Sequence, residues 1–364
     1  KYKTRSAMAV GFFMNKIEKL ISEKGWILAD GATGTNLFSM GLESGDPPEL
    51  WNLEFPDRVY LNHQNFIEAG SDLILTNTFG ANRFRLALHN AENQVHELNV
   101  AGVEIAIKAA DHCERTIIVA GSIGPTGEMI EPLGEVTKAE ATSAFTDQAI
   151  ALKEGGADVA WIESMYSEEE IECAIIASKQ AGLPIFLTNT FDSHGKTMMG
   201  LEPKELVMLA EQYSPEIIGY GANCGIGASE LIGSTLCLAK SKKNHKMHLV
   251  AKGNCGVPQY KEGEIVYNGT EEIMAAYACY ARKLGATIIG GCCGTKKEHV
   301  KAMADALKEN TMECPLEVDQ MIKSMGEMTE GNIAMVQKYL NSEDSPEVKA
   351  INPRRKRRRR QKLN

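Results

Sequence analysis

Nowhere in these 364 residues does an apolar run approach the ~20 residues that cross a bilayer as a helix. The opening stretch "KYKTRSAMAVGFFM" sets basic side chains before a short apolar segment. It lacks an A-x-A-like cleavage site and runs straight into the amphipathic "NKIEKLISEKG", which argues against a signal peptide. Met14 reads as the native start and residues 1–14 as an added or upstream segment. The nine cysteines are odd in number and scattered, so they do not form a secreted disulfide framework. A reducing, cytoplasmic compartment is expected, with most thiols buried as small hydrophobes. No G-x-G-x-x-G follows the first strand, which argues against an open nucleotide-binding sheet. The tail "PRRKRRRRQKLN" lacks any acid and carries eight positive side chains; without it, 31 basic residues face 48 acidic ones, a net −17. A solvated tail, or an arm docking on the acidic body, is preferred to one holding nucleic acid or an anionic surface.

What is present is an ordinary globular composition, 43% hydrophobic and 24% charged. Four segments share one design, a helix-like stretch, a turn with Gly, then a short apolar run: "EAGSDLILTNT", "EGGADVAWIES", "QAGLPIFLTNT" and "KLGATIIGGCC". Glycine just past a helix caps it in a left-handed conformation. The unalternated run that follows fits a strand buried on both faces. "WILADG", "TIIVAGS", "EIIGYGANC" and "MHLVAKGN" complete a set of eight. Eight strands alternating with helices predict an α/β fold, a (β/α)8 TIM barrel over residues 15–312. Residues 313–348 read as a helical extension that packs on the barrel's side or contacts another subunit, leaving a homo-oligomer open; residues 349–364 form the Arg-rich tail.

Ligands of such barrels bind at the C-terminal ends of the strands. Those ends include Asp30-Gly31, Asn77, Ser122, Glu163, Asn189, Asn223-Cys224, Asn254-Cys255 and Cys292-Cys293. Adjacent cysteines rarely bridge each other, because a disulfide needs Cα atoms several ångströms apart. Thiols at a wet barrel mouth gain little by packing. Cys224, Cys292 and Cys293, on neighbouring strand ends, can instead converge on one Zn2+ and leave its fourth position open, the catalytic arrangement. Cys255 in "KGNCG" is the competing ligand; a four-cysteine site would be closed and structural.

"ILADGATGTNL", "EAGSDLILTNTF", "AGSIGPTG", "WIES", "GANCG" and "IIGGCCGT" resemble the homocysteine S-methyltransferase family, over about Trp26 to Leu307. Within it, the chain is most similar to the bacterial betaine–homocysteine methyltransferases. The resemblance implies zinc held by Cys224, Cys292 and Cys293, with homocysteine's sulfur in the open position. Coordination removes the thiol proton, whose pKa is near 8.5 when free, and leaves a nucleophilic thiolate. The reaction is then an in-line displacement that depends on orientation. The resemblance also places Asp30 and Glu163 near homocysteine's ammonium and the backbone around Gly31 near its carboxylate.

The donor is expected to be glycine betaine, giving dimethylglycine and methionine, or a sulfonium analogue such as dimethylsulfoniopropionate or S-methylmethionine. A quaternary ammonium favours an aromatic cage. Trp51 and Phe79 are the candidate walls, beside Asn77, with Tyr220 and Tyr260 further candidates. The chain departs from the animal betaine enzymes here: their "FTFY" is "TNTFG", and their Tyr after the strand-four Glu is Ser164. Cobalamin-dependent methionine synthase shares the "TNTF" segment but needs folate and corrinoid modules. "DSHGKT" (Asp192–Thr197) is only a near miss to the corrinoid signature. A nucleic-acid-binding protein on a degenerate barrel is the remote alternative, which the intact cysteine set opposes.

Overall fold

The computed structural model describes residues 16–341 except 193, 243, 245, 262 and 263, and leaves the side chains of residues 260, 261, 264 and 265 undescribed. Residues 1–14 and the tail 349–364 lie outside the described residues. Eight parallel strands form the central sheet: β1 (Ile27–Leu28), β2 (Leu73–Leu75), β3 (Ile118–Ile123), β4 (Val159–Glu163), β5 (Ile185–Asn189), β6 (Ile217–Cys224), β7 (His248–Gly253) and β10 (Ile288–Gly291). Neighbours run β1-β10-β7-β6-β5-β4-β3-β2, and a parallel bridge from Ala29 to Leu73 joins the two ends. The molecule is therefore the (β/α)8 barrel read from the sequence. A short antiparallel hairpin, β8 (Pro258–Lys261) with β9 (Glu264–Tyr267), interrupts the seventh unit.

The crossover helices are α1 (Pro56–Ala69), α2 (Val95–Asp111), α3 (Lys138–Gly155), α4 (Glu168–Gln180), α5 (Pro203–Gln212), α6 (Ala228–Ser241), α7 (Glu271–Lys283) and α8 (Lys297–Glu309). Their ends carry the signals that stop and start helices. Thr137 and Glu140 form a capping box on α3, Ser167 and Thr270 cap α4 and α7, and Gly70 and Gly156 close α1 and α3 in the left-handed conformation.

Strand alternation splits the core into two layers. Ile27, Ala29, Leu73, Leu75, Ile118, Ala120, Val159, Trp161, Phe186 and Val250 fill the barrel interior. Leu28, Ile74, Val119, Ala160, Ile162, Leu187 and Tyr220 pack outward against the helices. Apolar residues on both faces are what removed the hydrophobic alternation from these strands.

The extension forms two helices, α9 (Val318–Met325) and α10 (Glu330–Leu340), which pack against α6. Glu230 on α6 accepts from the Thr329 N–H and from Asn332 Nδ2, and Ser229 Oγ donates to the Glu327 carbonyl. Eleven of the fourteen residues of α6 are buried, because the extension covers the face that a barrel helix usually shows to water.

Candidate active site at the mouth of the barrel

A cavity of about 490 Å³ opens at the C-terminal ends of the strands, within the size range of small-molecule sites. Cys224, Cys292 and Cys293 line its floor. By strict alternation with Tyr220 and Ala222, Cys224 would face the helices. Its left-handed backbone (φ 57°) breaks the alternation and brings its thiol to the other two. The Cys224 Sγ lies 3.0 Å from that of Cys292 and 3.7 Å from that of Cys293.

The glycines of "GGCCGT" answer to contacts. A Cβ at Gly291 would fall 2.3 Å from Thr295 Cγ2, and one at Gly294, where φ is +74°, would fall 2.2 Å from the Tyr267 ring. Both cysteines are held through their backbone. The Cys292 N–H donates to the Gly253 carbonyl (2.7 Å), and the Cys293 carbonyl accepts from the Cys255 N–H (2.9 Å).

Three sulfurs on one tetrahedral zinc at 2.3 Å would stand about 3.8 Å apart, so this triad needs only a small opening to hold such an ion. All three thiols are free, and they are the only such metal-competent group among the described residues. Their mutual hydrogen bonds redistribute the charge. Cys293 is held well below the ordinary thiol range by Cys224 and Cys292, and Cys224 is pushed well above it by Cys292 and Cys293. The donor set fits a thiophilic cation with one position left for an incoming ligand. Cys255 is not part of it: its buried Sγ sits 3.4 Å from His299 Nε2, behind the loop.

A layer of buried polar groups surrounds the triad. Glu163, at the end of β4, accepts from Ser122 Oγ (2.7 Å), and burial, then Cys292, pushes its carboxyl up to about 7. Lys252, at the end of β7, also lines the cavity. Its Nζ donates to the carbonyls of Gly291 (2.5 Å) and Gly31 (3.2 Å) and lies 3.2 Å from Asp30 Oδ1. Burial works against this ammonium, but Asp30, then Cys292 and Glu163, hold its pKa above the ordinary lysine value. Asp30's second oxygen accepts from the Leu75 N–H at 2.8 Å. The aspartate is thus committed to Lys252 and β2, and the cavity wall beside it is the backbone around Gly31.

The outer wall comes from the loops after β1 and β2. Phe38, Glu49, Asn77, Phe79, Arg85 and His89 line it. Asn77 is buried and spends its amide on the Pro48 carbonyl (2.7 Å) and Asn52 (3.0 Å), so it shapes the wall from behind. Phe79 remains 39% exposed and Phe38 47% exposed, the two aromatic faces open to the cavity.

Two aromatic expectations are corrected. Trp51 packs in a separate cluster with Leu37, Leu42, Val59 and Ile105, under the Arg58 guanidinium, and does not line the cavity. Tyr220 belongs to the layer between strands and helices, since its position on β6 points away from the barrel interior. The side chain of Tyr260 lies outside the described residues. Ser164 lines the cavity with φ 60°, its hydroxyl accepting from Asn223 Nδ2 at 2.7 Å.

Sequence reasoning missed Lys252, Phe38, Arg85 and Glu49. Only Lys252 had a visible signal, a single charge inside the apolar run "HLVAKG".

The family description homocysteine S-methyltransferase matches residues 27–307. Methionine synthases of Mycobacterium tuberculosis and Mycobacterium leprae are each 28% identical over 297 residues, covering 77% of this chain and 24% of theirs. The chain thus spans about a quarter of the length of these curated relatives. The fold is shared with the Escherichia coli homocysteine methyltransferase MmuM. Its metallated form superposes with a TM-score of 0.66 at 23% identity, covering 80% of this chain and 99% of that one.

Proposed function

The chain belongs to the homocysteine S-methyltransferase family, and from that premise we propose that it moves a methyl group from glycine betaine, or a sulfonium analogue, to homocysteine. The observation that carries this reading is the convergence of the Cys224, Cys292 and Cys293 thiols within 4.8 Å of one another at the cavity floor. Cys224, Cys292 and Cys293 would hold the proposed resident ion, Zn2+, which would supply the Lewis acidity that lowers the pKa of homocysteine's thiol.

The chain's own residues then do the positioning. In this reading Glu163, held by Ser122, takes homocysteine's ammonium, and the backbone around Gly31, on the cavity wall, takes its carboxylate. Asp30 acts one step back, fixing Lys252 rather than meeting the substrate. Phe79, with Phe38 in place of Trp51, offers aromatic faces to an onium group. The thiolate sulfur attacks the donor methyl in line. A sulfur–carbon bond forms, the carbon–nitrogen bond breaks, and its electron pair stays on the leaving dimethylglycine. The thiol proton has already passed to solvent. No general acid is required, so orientation supplies the rate.

The test is a donor screen. Protein loaded with zinc receives homocysteine and, separately, glycine betaine, dimethylsulfoniopropionate, S-methylmethionine or a methylated folate, and methionine is quantified. Turnover with betaine or a sulfonium is expected. Methionine only from the folate, or from none of the four, refutes the donor assignment. Cys292→Ala should lose metal and turnover together; a metal-free variant that still turns over would remove the ion from the reaction.

A further inference from the structure

The cavity grades from the buried floor at Glu163 and Lys252 to an exposed outer wall, and that wall carries a cation that no carboxylate meets in an ion pair among the described residues. Among the described residues, no hydrogen bond or ion pair engages the Arg85 guanidinium, although Arg85 lines the cavity beside Phe79. Glu49 is the nearby acid and feels the charge of Arg85, but its carboxylate takes the Gly80 N–H at 2.6 Å and forms no ion pair with Arg85 among the described residues.

The placement of Arg85 is built. Buried Asn82 accepts from the N–H groups of Phe84 and Arg85, both at 3.1 Å, and donates to the Pro125 carbonyl. The segment "GPTG", Gly124 to Gly127, forms a shelf for both side chains. A Cβ at Gly124 would fall 2.6 Å from the Phe79 ring, and one at Gly127 would fall 3.1 Å from Arg85 Cδ and 3.3 Å from its Nη1. The shelf is itself locked, because buried Glu170 accepts from the Thr126 N–H (2.8 Å) and its hydroxyl (2.6 Å).

We propose that Arg85 is the carboxylate anchor of the donor subsite, so that the cavity selects methyl donors carrying an onium group and a carboxylate in one small molecule. This deepens the donor assignment above and rests on it. A guanidinium presents a planar pair of donors that matches a carboxylate. With the carboxylate held on Arg85, the onium end lies along Phe79 and faces the floor. A donor without a carboxylate leaves the guanidinium unanswered and is bound by its onium end alone.

Binding and turnover are measured separately on the metal-loaded full chain. Calorimetric titration with glycine betaine, dimethylsulfoniopropionate and carboxylate-free choline compares the wild type with Arg85→Gln and Arg85→Lys. The wild type should bind the two zwitterions at least about tenfold more tightly than choline, the discrimination expected of one charged hydrogen-bonding pair. Arg85→Gln should erase that difference and leave choline unchanged; Arg85→Lys should keep part of it. Homocysteine affinity, read in the same variants, should not move. Equal zwitterion affinity in the wild type and Arg85→Gln, or no zwitterion binding by the wild type, overturns the anchor. Arg85-dependent betaine binding without methionine formation supports the anchor and sinks the transfer reading. Undiminished transfer by Arg85→Gln at undiminished affinity does the reverse.

Discussion

A buried ammonium persists only where its charge and its hydrogens are both answered, and Lys252 meets both conditions with Asp30 and the carbonyls of Gly31 and Gly291. Asp30 and Gly31 follow β1 and Gly291 ends β10, so one side chain ties β7 to the ends of the next two strands around the barrel. The Gly291 carbonyl immediately precedes the paired cysteines, and its hydrogen bond fixes their approach to the floor. Lys252→Met would leave Asp30 buried without its counter-charge, a loss of about 3 to 5 kcal/mol. Urea unfolding should show that loss, and adding Asp30→Asn should restore a large part of it. A neutral Lys252→Met would mean that the pair is not ionised in the folded protein.

At the scale of elements, α1 carries a liability that appears on acidification. His63 is fully buried, neither ring nitrogen has a partner among the described residues, and desolvation lowers its pKa from 6.5 to about 4. The unfolded chain therefore takes up a proton below pH 6.5 that the folded chain refuses until about pH 4. Stability from this group is complete above pH 6.5 and falls as pH drops through that window, by about 2 kcal/mol at pH 5. The raised pKa values of Asp30, Glu49 and Glu163 act in the opposite sense, so the comparison must be between His63→Leu and the wild type. The variant should lose less stability than the wild type between pH 7.5 and pH 5 in urea titrations; parallel losses would show that His63 is protonated in the fold.

Elements were also where the sequence spoke most clearly. A Gly-containing turn before a short run such as "LILTN" marks a strand buried on both faces, and four such segments with four further apolar runs leave little choice of fold. The cysteines were legible by type, because thiols at strand ends have no packing reason to be there. Trp51 was not, since an aromatic residue in a loop carries no period that separates a cage wall from a core wedge. Tyr220 was misplaced for want of counting faces along β6. Arg85 and Phe38 gave no signal, because their meaning depends on Gly127 and on a cavity assembled from distant loops.

Taken whole, the molecule is a barrel with one side closed by its own extension. α6 is buried nearly all round, and α9 and α10 cover the face that carries Ser229, Glu230 and Gly233. The clasp is Glu230, 2% exposed, whose carboxylate receives the Thr329 N–H and the Asn332 amide. Glu230→Ala would leave the Thr329 N–H without its acceptor, about 1 to 3 kcal/mol, while the Asn332 amide would keep the Glu230 backbone carbonyl as its partner. Truncation after residue 312 would go further and bare the α6 surface. The truncated chain should aggregate or melt well below the full chain in thermal scans, whereas removal of Pro353 to Asn364 should leave both melting and turnover unchanged. A truncated chain as stable and monodisperse as the parent would show that α6 needs no cover. A large loss of turnover on removing the Arg-rich segment would place that segment in the active assembly.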